Sequence, residues 1–195
     1  MNQGLLFEEM PSKPTGHPLF IAMMPSEGAR REIVAIATQQ RVTRCPGGRL
    51  RSAETLHMTI CDFKNSRDSY DSTVSAALKA CESASRSTGT FPIIMDRILS
   101  VGGGGGGYGL ALKSRAIPEE LVALRKSLTD GFVKLGHKPD FSSGKTPHIT
   151  MLYDWSRIAE EAIEPLAWMA SELALIHSHV GENRYSILGQ WSLQG

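Results

Sequence analysis

The sequence predicts an α+β protein of two pseudo-symmetric lobes, each an antiparallel sheet with outer helices, flanking a central groove. Three observations predict it. Two segments carry one pattern: Leu56-His57-Met58-Thr59-Ile60 and Pro147-His148-Ile149-Thr150-Met151. A unit of strand, helix and His-x-Thr strand occurs once before a run of six glycines and once after it. His57 and His148 stand 91 positions apart in a chain of 195 residues, close to half its length, which fits two related lobes rather than a long tandem array.

The elements follow in order. Residues 1–16, with Pro11, Pro14 and Gly16, read as a flexible N-terminal tail, and 17–195 as a single bilobal domain. Pro18-Leu19-Phe20-Ile21-Ala22-Met23-Met24 is a short buried strand. Pro25-Ser26 opens a helix with Glu27 in its first turn and Ala29, Ile33, Val34 and Ala37 as its apolar stripe. Gly47-Gly48 marks a loop before the first His-x-Thr strand. Residues 69–87 place Val74, Ala77, Leu78 and Cys81 at helical spacing, and the helix ends before Gly89. Strands over 91–101 and 108–113 flank the glycines at 102–107, which cannot pack a side chain and lose much entropy on ordering, so they read as a hairpin tip. A phosphate-cradling loop is the rival reading, but no Gly-Lys-Ser/Thr follows and no helix opens after it. Pro118-Glu119-Glu120 starts a third helix, with Leu121, Leu124, Leu128, Phe132 and Leu135 on one face and Gly136 as its stop. A loop through Pro139 and Gly144 leads to the second His-x-Thr strand. Strands over 166–178 and 185–193, joined by a turn at Gly181-Glu182-Asn183, complete the chain.

Composition narrows the function classes. A net charge of +1 excludes a heavily basic nucleic-acid coat and an acidic tail, although a local basic cleft needs only a few Lys and Arg. Cys45, Cys61 and Cys81 are odd in number and not at metal-ligand spacing, so free thiols in a reducing cytoplasm are the simplest reading. No signal-peptide pattern or 18-residue apolar run is present, so no membrane partner is expected. The expected state is a monomer.

Chemistry concentrates in the repeated motif. Alternate side chains of a strand face the same way, so His57 and Thr59 share one face and Met58 and Ile60 the other, as do His148 and Thr150 against Ile149 and Met151. Two imidazoles on opposite lobes are what general acid-base catalysis near neutral pH requires, and two hydroxyls add donors for an anion. One strand histidine is more often structural than catalytic; it is the pairing that reverses the odds. His17 and His137 read as loop residues. His177-Ser178-His179 puts two histidines on one face, but with no third ligand identifiable, metal binding is not expected. Thr59 and Thr150 also suit strands on propensity alone. Phe20, Trp155, Trp168 and Trp191 read as core or lobe packing.

From Pro18 onward the chain resembles the 2H phosphoesterases, and among them the RNA 2′,3′-cyclic phosphodiesterases, also called 2′-5′ RNA ligases. The resemblance rests on Leu19-Phe20-Ile21-Ala22 with Pro25, Glu54-Thr55-Leu56-His57-Met58-Thr59, Thr146-Pro147-His148-Ile149-Thr150-Met151-Leu152, and Glu172-Leu173-Ala174-Leu175-Ile176-His177-Ser178 with Arg184-Tyr185-Ser186-Ile187-Leu188. It implies a phosphodiesterase without a cofactor or metal, with His57, Thr59, His148 and Thr150 catalytic. Its implied partners are RNA ends or nucleotides bearing a 2′,3′-cyclic phosphate, and attack frees the 3′ oxygen and leaves a 2′-phosphate. His57 is assigned as acid and His148 as base, an order the sequence does not fix. Members often carry Arg shortly after the second motif, in a Leu-Leu-Arg-like run. Here Leu152 is followed by Tyr153, an aromatic able to stack a base, with Lys145 or Arg157 to supply the charge. Phe20, Lys145 and Tyr153 are thus the candidate substrate-binding residues. Two other readings stand beside this one: a 2H phosphoesterase for 2′-5′ oligonucleotides or other cyclic nucleotides, and a non-catalytic RNA- or nucleotide-binding module. With no ATP-binding motif visible, hydrolysis is the expected direction.

Overall fold

A computed structural model of the chain describes residues 18–63, 68–104, 107–138, 146–179, 182 and 184–194. The expected tail at 1–16, His17, Pro139, Gly144, Lys145, the glycines at 105–106, and Gly181 and Asn183 of the expected turn lie outside the described residues.

The chain runs β1 (Leu19–Met23), α1 (Glu27–Thr43), β2 (Arg49–Leu50), a 3₁₀ turn (Ala53–Thr55), β3 (Met58–Asp62), α2 (Tyr70–Arg86), β4 (Phe91–Gly104), β5 (Gly107–Lys113), α3 (Glu119–Lys134), β6 (His148–Asp154), β7 (Glu161–Ala170), β8 (Glu172–His179) and β9 (Arg184–Ser192). The strands form two antiparallel sheets, in the orders β3-β1-β8-β9 and β2-β6-β5-β4-β7. The internal repeat is visible in this order. In one sheet β1 and β3 are neighbours joined through α1; in the other β5 and β6 are neighbours joined through α3. Each His-x-Thr strand therefore lies beside the strand that precedes its helix.

The helices start where local chemistry dictates. Ser26 caps α1 by accepting from the Ala29 N–H, and Ser69 caps α2 by accepting from the Ser72 N–H. Glu119 and Glu120 occupy the first turn of α3, and Gly136, with φ of 81°, takes up the left-handed backbone just past its end. The buried stripes Ala29, Ile33, Ala37 of α1 and Leu121, Leu124, Leu128, Phe132 of α3 are those the sequence places there, except that Leu135, expected on the α3 face, caps the helix end and is exposed. Helix α1 lies against β6 and β7, whereas α2 lies against β8, β9 and α3.

Three departures from the sequence reading matter. The expected strand over 166–178 is two strands, with β7 in the five-stranded sheet and β8 in the four-stranded one, separated by Ser171. The short strand β2 has no counterpart among the expected elements; it pairs with β6 at Arg49–Tyr153 and Leu50–Leu152. His57 stands immediately before β3 rather than inside it. Glycines 102–104 and 107 belong to the ends of the β4–β5 hairpin, with Gly102 and Gly107 at φ of 82° and 84°. At Gly107 a side chain has no room either, since a Cβ there would meet the Asp154 carbonyl oxygen at 2.7 Å.

Two apolar layers result. The large core joins Ile21, Met23, Met58, Ile60, Leu173 and Leu175 to the buried helix faces and to Ile149 and Met151. A small second cluster, Phe20, Ala22, Ala174 and Ile176, with Met24 and Tyr185 against it, covers the opposite face of the four-stranded sheet. That second face carries the site.

Candidate active site

Along both motifs burial alternates with period two. His57 and Thr59 are half-buried while Met58 and Ile60 are fully buried; His148 and Thr150 are half-buried while Ile149 and Met151 are fully buried. The apolar residues anchor each strand in the large core, which leaves the His/Thr face turned away from that core.

Each imidazole is held in the same way. His57 Nδ1 lies 2.8 Å from the Thr55 carbonyl oxygen, and His148 Nδ1 lies 2.9 Å from that of Thr146. A carbonyl only accepts, so Nδ1 carries the proton in both rings, and Nε2 becomes the nitrogen that gains or loses one. Both motifs are Thr-x-His-x-Thr, Thr55-Leu56-His57-Met58-Thr59 and Thr146-Pro147-His148-Ile149-Thr150, but the acceptor is a backbone carbonyl, which every residue has, so the sequence does not announce the tether. His57 is also walled by aromatic rings, with the Phe20 centroid at 4.7 Å and the Tyr185 centroid at 5.5 Å. Phe20 is itself only 9% exposed and meets the Tyr185 ring at 74°, with centroids 5.3 Å apart.

On β5, Gly109 makes room for the second motif. A Cβ there would lie 2.9 Å from Thr150 Cγ2 and 3.5 Å from its Oγ1. A glycine inside a strand marks such a close approach, and the Tyr108-Gly109-Leu110 run is a readable sign of it.

The two motifs meet through the segment that follows β2. The Arg51 N–H donates to the Met151 carbonyl at 2.8 Å, one residue beyond Thr150. The Arg51 side chain then crosses between the sheets. Its Nη1 donates to the Thr55 carbonyl (2.9 Å) and to the Tyr185 hydroxyl (2.8 Å), and its Nη2 donates to the Tyr153 hydroxyl (3.2 Å). Tyr185 belongs to β9 of one sheet and Tyr153 to β6 of the other. Burial alone lowers the guanidinium pKa, but the contacts with Tyr185 and then Tyr153 more than offset it, leaving the pKa above its ordinary value and the group charged. Arg49 also lies over the Tyr153 ring, 5.4 Å from its centroid. Among the described residues the cations against Tyr153 are Arg49 and Arg51, and not the Arg157 that the sequence offers beside Lys145. Lys145 is outside the described residues, and Arg157 is exposed beyond the end of β6.

The remaining candidates are placed elsewhere. His137 Nδ1 is 2.7 Å from Asp68 and its Nε2 3.4 Å from Ser72. His177 Nδ1 is 2.7 Å from the Tyr70 hydroxyl, and His179 Nε2 2.8 Å from Ser186 Oγ. Among the described residues no group of three or more His, Cys, Asp or Glu side chains is arranged for a metal ion, and no helix is long and apolar enough to cross a membrane. Trp168 is buried, Trp191 half-buried, and Trp155 75% exposed, so packing does not explain Trp155.

Comparison with solved structures places the fold. The chain is similar to TT0787 of Thermus thermophilus, at 21% identity over 91% of this chain and 98% of that one, with a TM-score of 0.67. It is similar to E. coli LigT in its apo form, at 24% identity over 94% of this chain and 100% of that one, with a TM-score of 0.64. It is likewise similar to E. coli LigT complexed with 3′-AMP, at 22% identity over 92% and 99%, with a TM-score of 0.65. No curated protein sequence matches the chain. The family model described as the 2′-5′ RNA ligase superfamily matches residues 25–182, a span that holds both His-x-Thr motifs and Arg51. Two antiparallel sheets with a His/Thr pair from each, and a family match across most of its length, mean that the chain belongs to the 2′-5′ RNA ligase superfamily of 2H phosphoesterases.

Proposed function

We propose that this protein is a metal-independent phosphodiesterase that opens the 2′,3′-cyclic phosphate at the end of RNA, or of a nucleotide, to a 2′-phosphate. The observation that carries the reading is the matched tethering of His57 and His148. Each ring gives its Nδ1 proton to the carbonyl two residues upstream, so each keeps Nε2 for proton transfer. The E. coli LigT structures support a nucleotide substrate, since that protein has been crystallised with 3′-AMP and with phosphate.

The chemistry uses one ring in each protonation state. Neutral His148 takes a proton from water as its oxygen bonds to phosphorus; the bond from phosphorus to the ribose O3′ breaks; protonated His57 gives its proton to that oxygen. Base and acid from different sheets stand on opposite sides of phosphorus, as in-line displacement demands. Thr59 and Thr150 donate to the nonbridging oxygens, where charge grows in the transition state. Phe20 forms the wall of the site behind His57. Protons move only between water, imidazole and ribose, so no metal or other cofactor is required. The proposed setting is the cytoplasm, with the monomer as the acting form; three buried cysteines outside any disulfide are consistent with a reducing compartment.

The test is incubation with an RNA ending in a 2′,3′-cyclic phosphate in excess EDTA, with identification of the ribose oxygen that keeps the phosphate. A 2′-phosphate product is expected. A 3′-phosphate, no product, or complete loss of turnover in EDTA overturns the reading.

A further inference from the structure

Among the described residues, no carboxylate neutralises Arg51. It is half-buried, and its Nε is buried without a hydrogen-bond partner. Its partners are a carbonyl and two phenols. Cations withdrawn from water are ordinarily matched by an anion, because desolvation is costly. At Arg51 no described residue supplies that anion.

The two tyrosines make the arrangement a receptor. Both hydroxyls accept from Arg51, so each retains its own proton to give, and donation from the cation polarises that proton further. The guanidinium lies 5.5 Å from the Tyr153 ring centroid and 6.0 Å from that of Tyr185, which fixes the three groups together at the seam between the sheets. The seam adjoins the reacting centre: the Thr55 carbonyl that orients His57 also accepts from Arg51, and the Tyr185 ring contacts the His57 ring. Beside it opens a cavity of about 320 Å³ whose lining is apolar at Met24, Ile176, Ile187 and the Tyr185 ring and polar at Ser52, Glu54, Thr55 and Arg184. A mixed apolar and polar lining suits the sugar and base that separate one phosphate of a nucleotide from the next.

We infer that Arg51, Tyr153 and Tyr185 form a second anion subsite, which takes the phosphate on the 5′ side of the nucleotide whose 2′,3′-cyclic phosphate reacts. The inference rests on the proposed function and deepens it. The 5′ phosphate has two sources, a terminal monoester or the diester of a longer strand, and the two are told apart by substrate.

Three substrates decide it: adenosine 2′,3′-cyclic phosphate, the same compound with a 5′-phosphate, and the dinucleotide ApA ending in a 2′,3′-cyclic phosphate. The wild-type protein is expected to show a kcat/KM about tenfold or more higher for one or both of the substrates with a second phosphate, the scale of one charge-assisted hydrogen bond. An advantage for the dinucleotide alone assigns the subsite to a diester; an advantage for both assigns it to phosphate in either form. Arg51→Gln is expected to erase the advantage, and Tyr153→Phe and Tyr185→Phe, which keep ring packing, to reduce it several-fold each. Equal kcat/KM for all three substrates, or an advantage that survives in the variants, overturns the inference. Should the wild type hydrolyse none of them, the proposed function fails, and equilibrium binding judges the subsite alone. Tighter binding of adenosine 2′,5′-bisphosphate than of adenosine 2′-monophosphate, lost in Arg51→Gln and weakened in Tyr153→Phe and Tyr185→Phe, upholds it; equal binding, or a difference the variants keep, overturns it.

Discussion

Thr150 occupies the space that a side chain at Gly109 would need: a Cβ there falls 2.9 Å from the Thr150 methyl group. Because threonine is β-branched and stiff at χ1, its methyl does not swing aside without moving the hydroxyl. Gly109→Ala is therefore expected to displace Thr150 Oγ1 from the groove and to cost about 1–3 kcal/mol in stability through overpacking. Denaturant titration and kcat/KM on a cyclic-phosphate substrate read the two effects; a variant that keeps both wild-type values shows that Thr150 is not held by this contact.

His57→Ala and His148→Ala are each expected to lower turnover by ~10²-fold or more, the scale of a positioned acid or base. Thr59→Ala and Thr150→Ala are expected to cost less, since each removes one donor to a nonbridging oxygen. The pH–rate profile is expected to be bell-shaped, with one limb flattened in each histidine variant. Near-wild-type turnover in either histidine variant removes the two-imidazole mechanism.

His177 carries a pH-dependent share of stability. Its pKa is lowered by burial first, and then by His179 and Arg184. The folded chain thus binds fewer protons at this ring than the unfolded chain does, so stability rises with pH through the range below the ordinary histidine value of about 6.5. The stabilising share is complete above that value and is lost as pH falls towards the depressed one. His177→Gln, which cannot titrate, is expected to lose less of its thermal midpoint than wild type between about pH 7 and 5. An equal loss in both proteins dismisses the assignment.

All three cysteines are buried and none is in a disulfide, and burial pushes the Cys81 thiol well above its ordinary range. Under native conditions a thiol reagent such as DTNB is expected to react slowly or not at all, and with three equivalents after denaturation. Rapid native labelling of Cys81 contradicts the packing of α2.

What is legible in the chain is whatever repeats over a short stretch. The alternation in His57-Met58-Thr59-Ile60 and His148-Ile149-Thr150-Met151 fixes which side chains turn away from the core, because a two-residue period leaves one arrangement once Met58, Ile60, Ile149 and Met151 are buried. Helix ends are legible from Ser26, Ser69 and Gly136 for the same local reason. The joint at Ser171 is not, because Ala170-Ser171-Glu172 holds no Gly or Pro to mark a change of sheet. Pro165 obscures the start of β7; it is tolerated there because β7 is an edge strand. Strand β2 is two residues long and exists through its pairing with β6, so nothing in Arg49-Leu50 announces it. Arg51 escapes a sequence reading because its significance lies in partners 102 and 134 positions away.

The joint at Ser171 has a mechanical consequence. One residue reaches at most about 3.6 Å, so the strands on either side of it are tethered at that corner. The Leu193 N–H closes on the Ser171 carbonyl at 2.9 Å, and the Gln194 N–H on that of Ser85 at 3.1 Å, which bolts the corner to α2. β7 and β8 therefore cannot draw apart at this corner without unpairing one of their ends, so the two sheets are fixed to each other there.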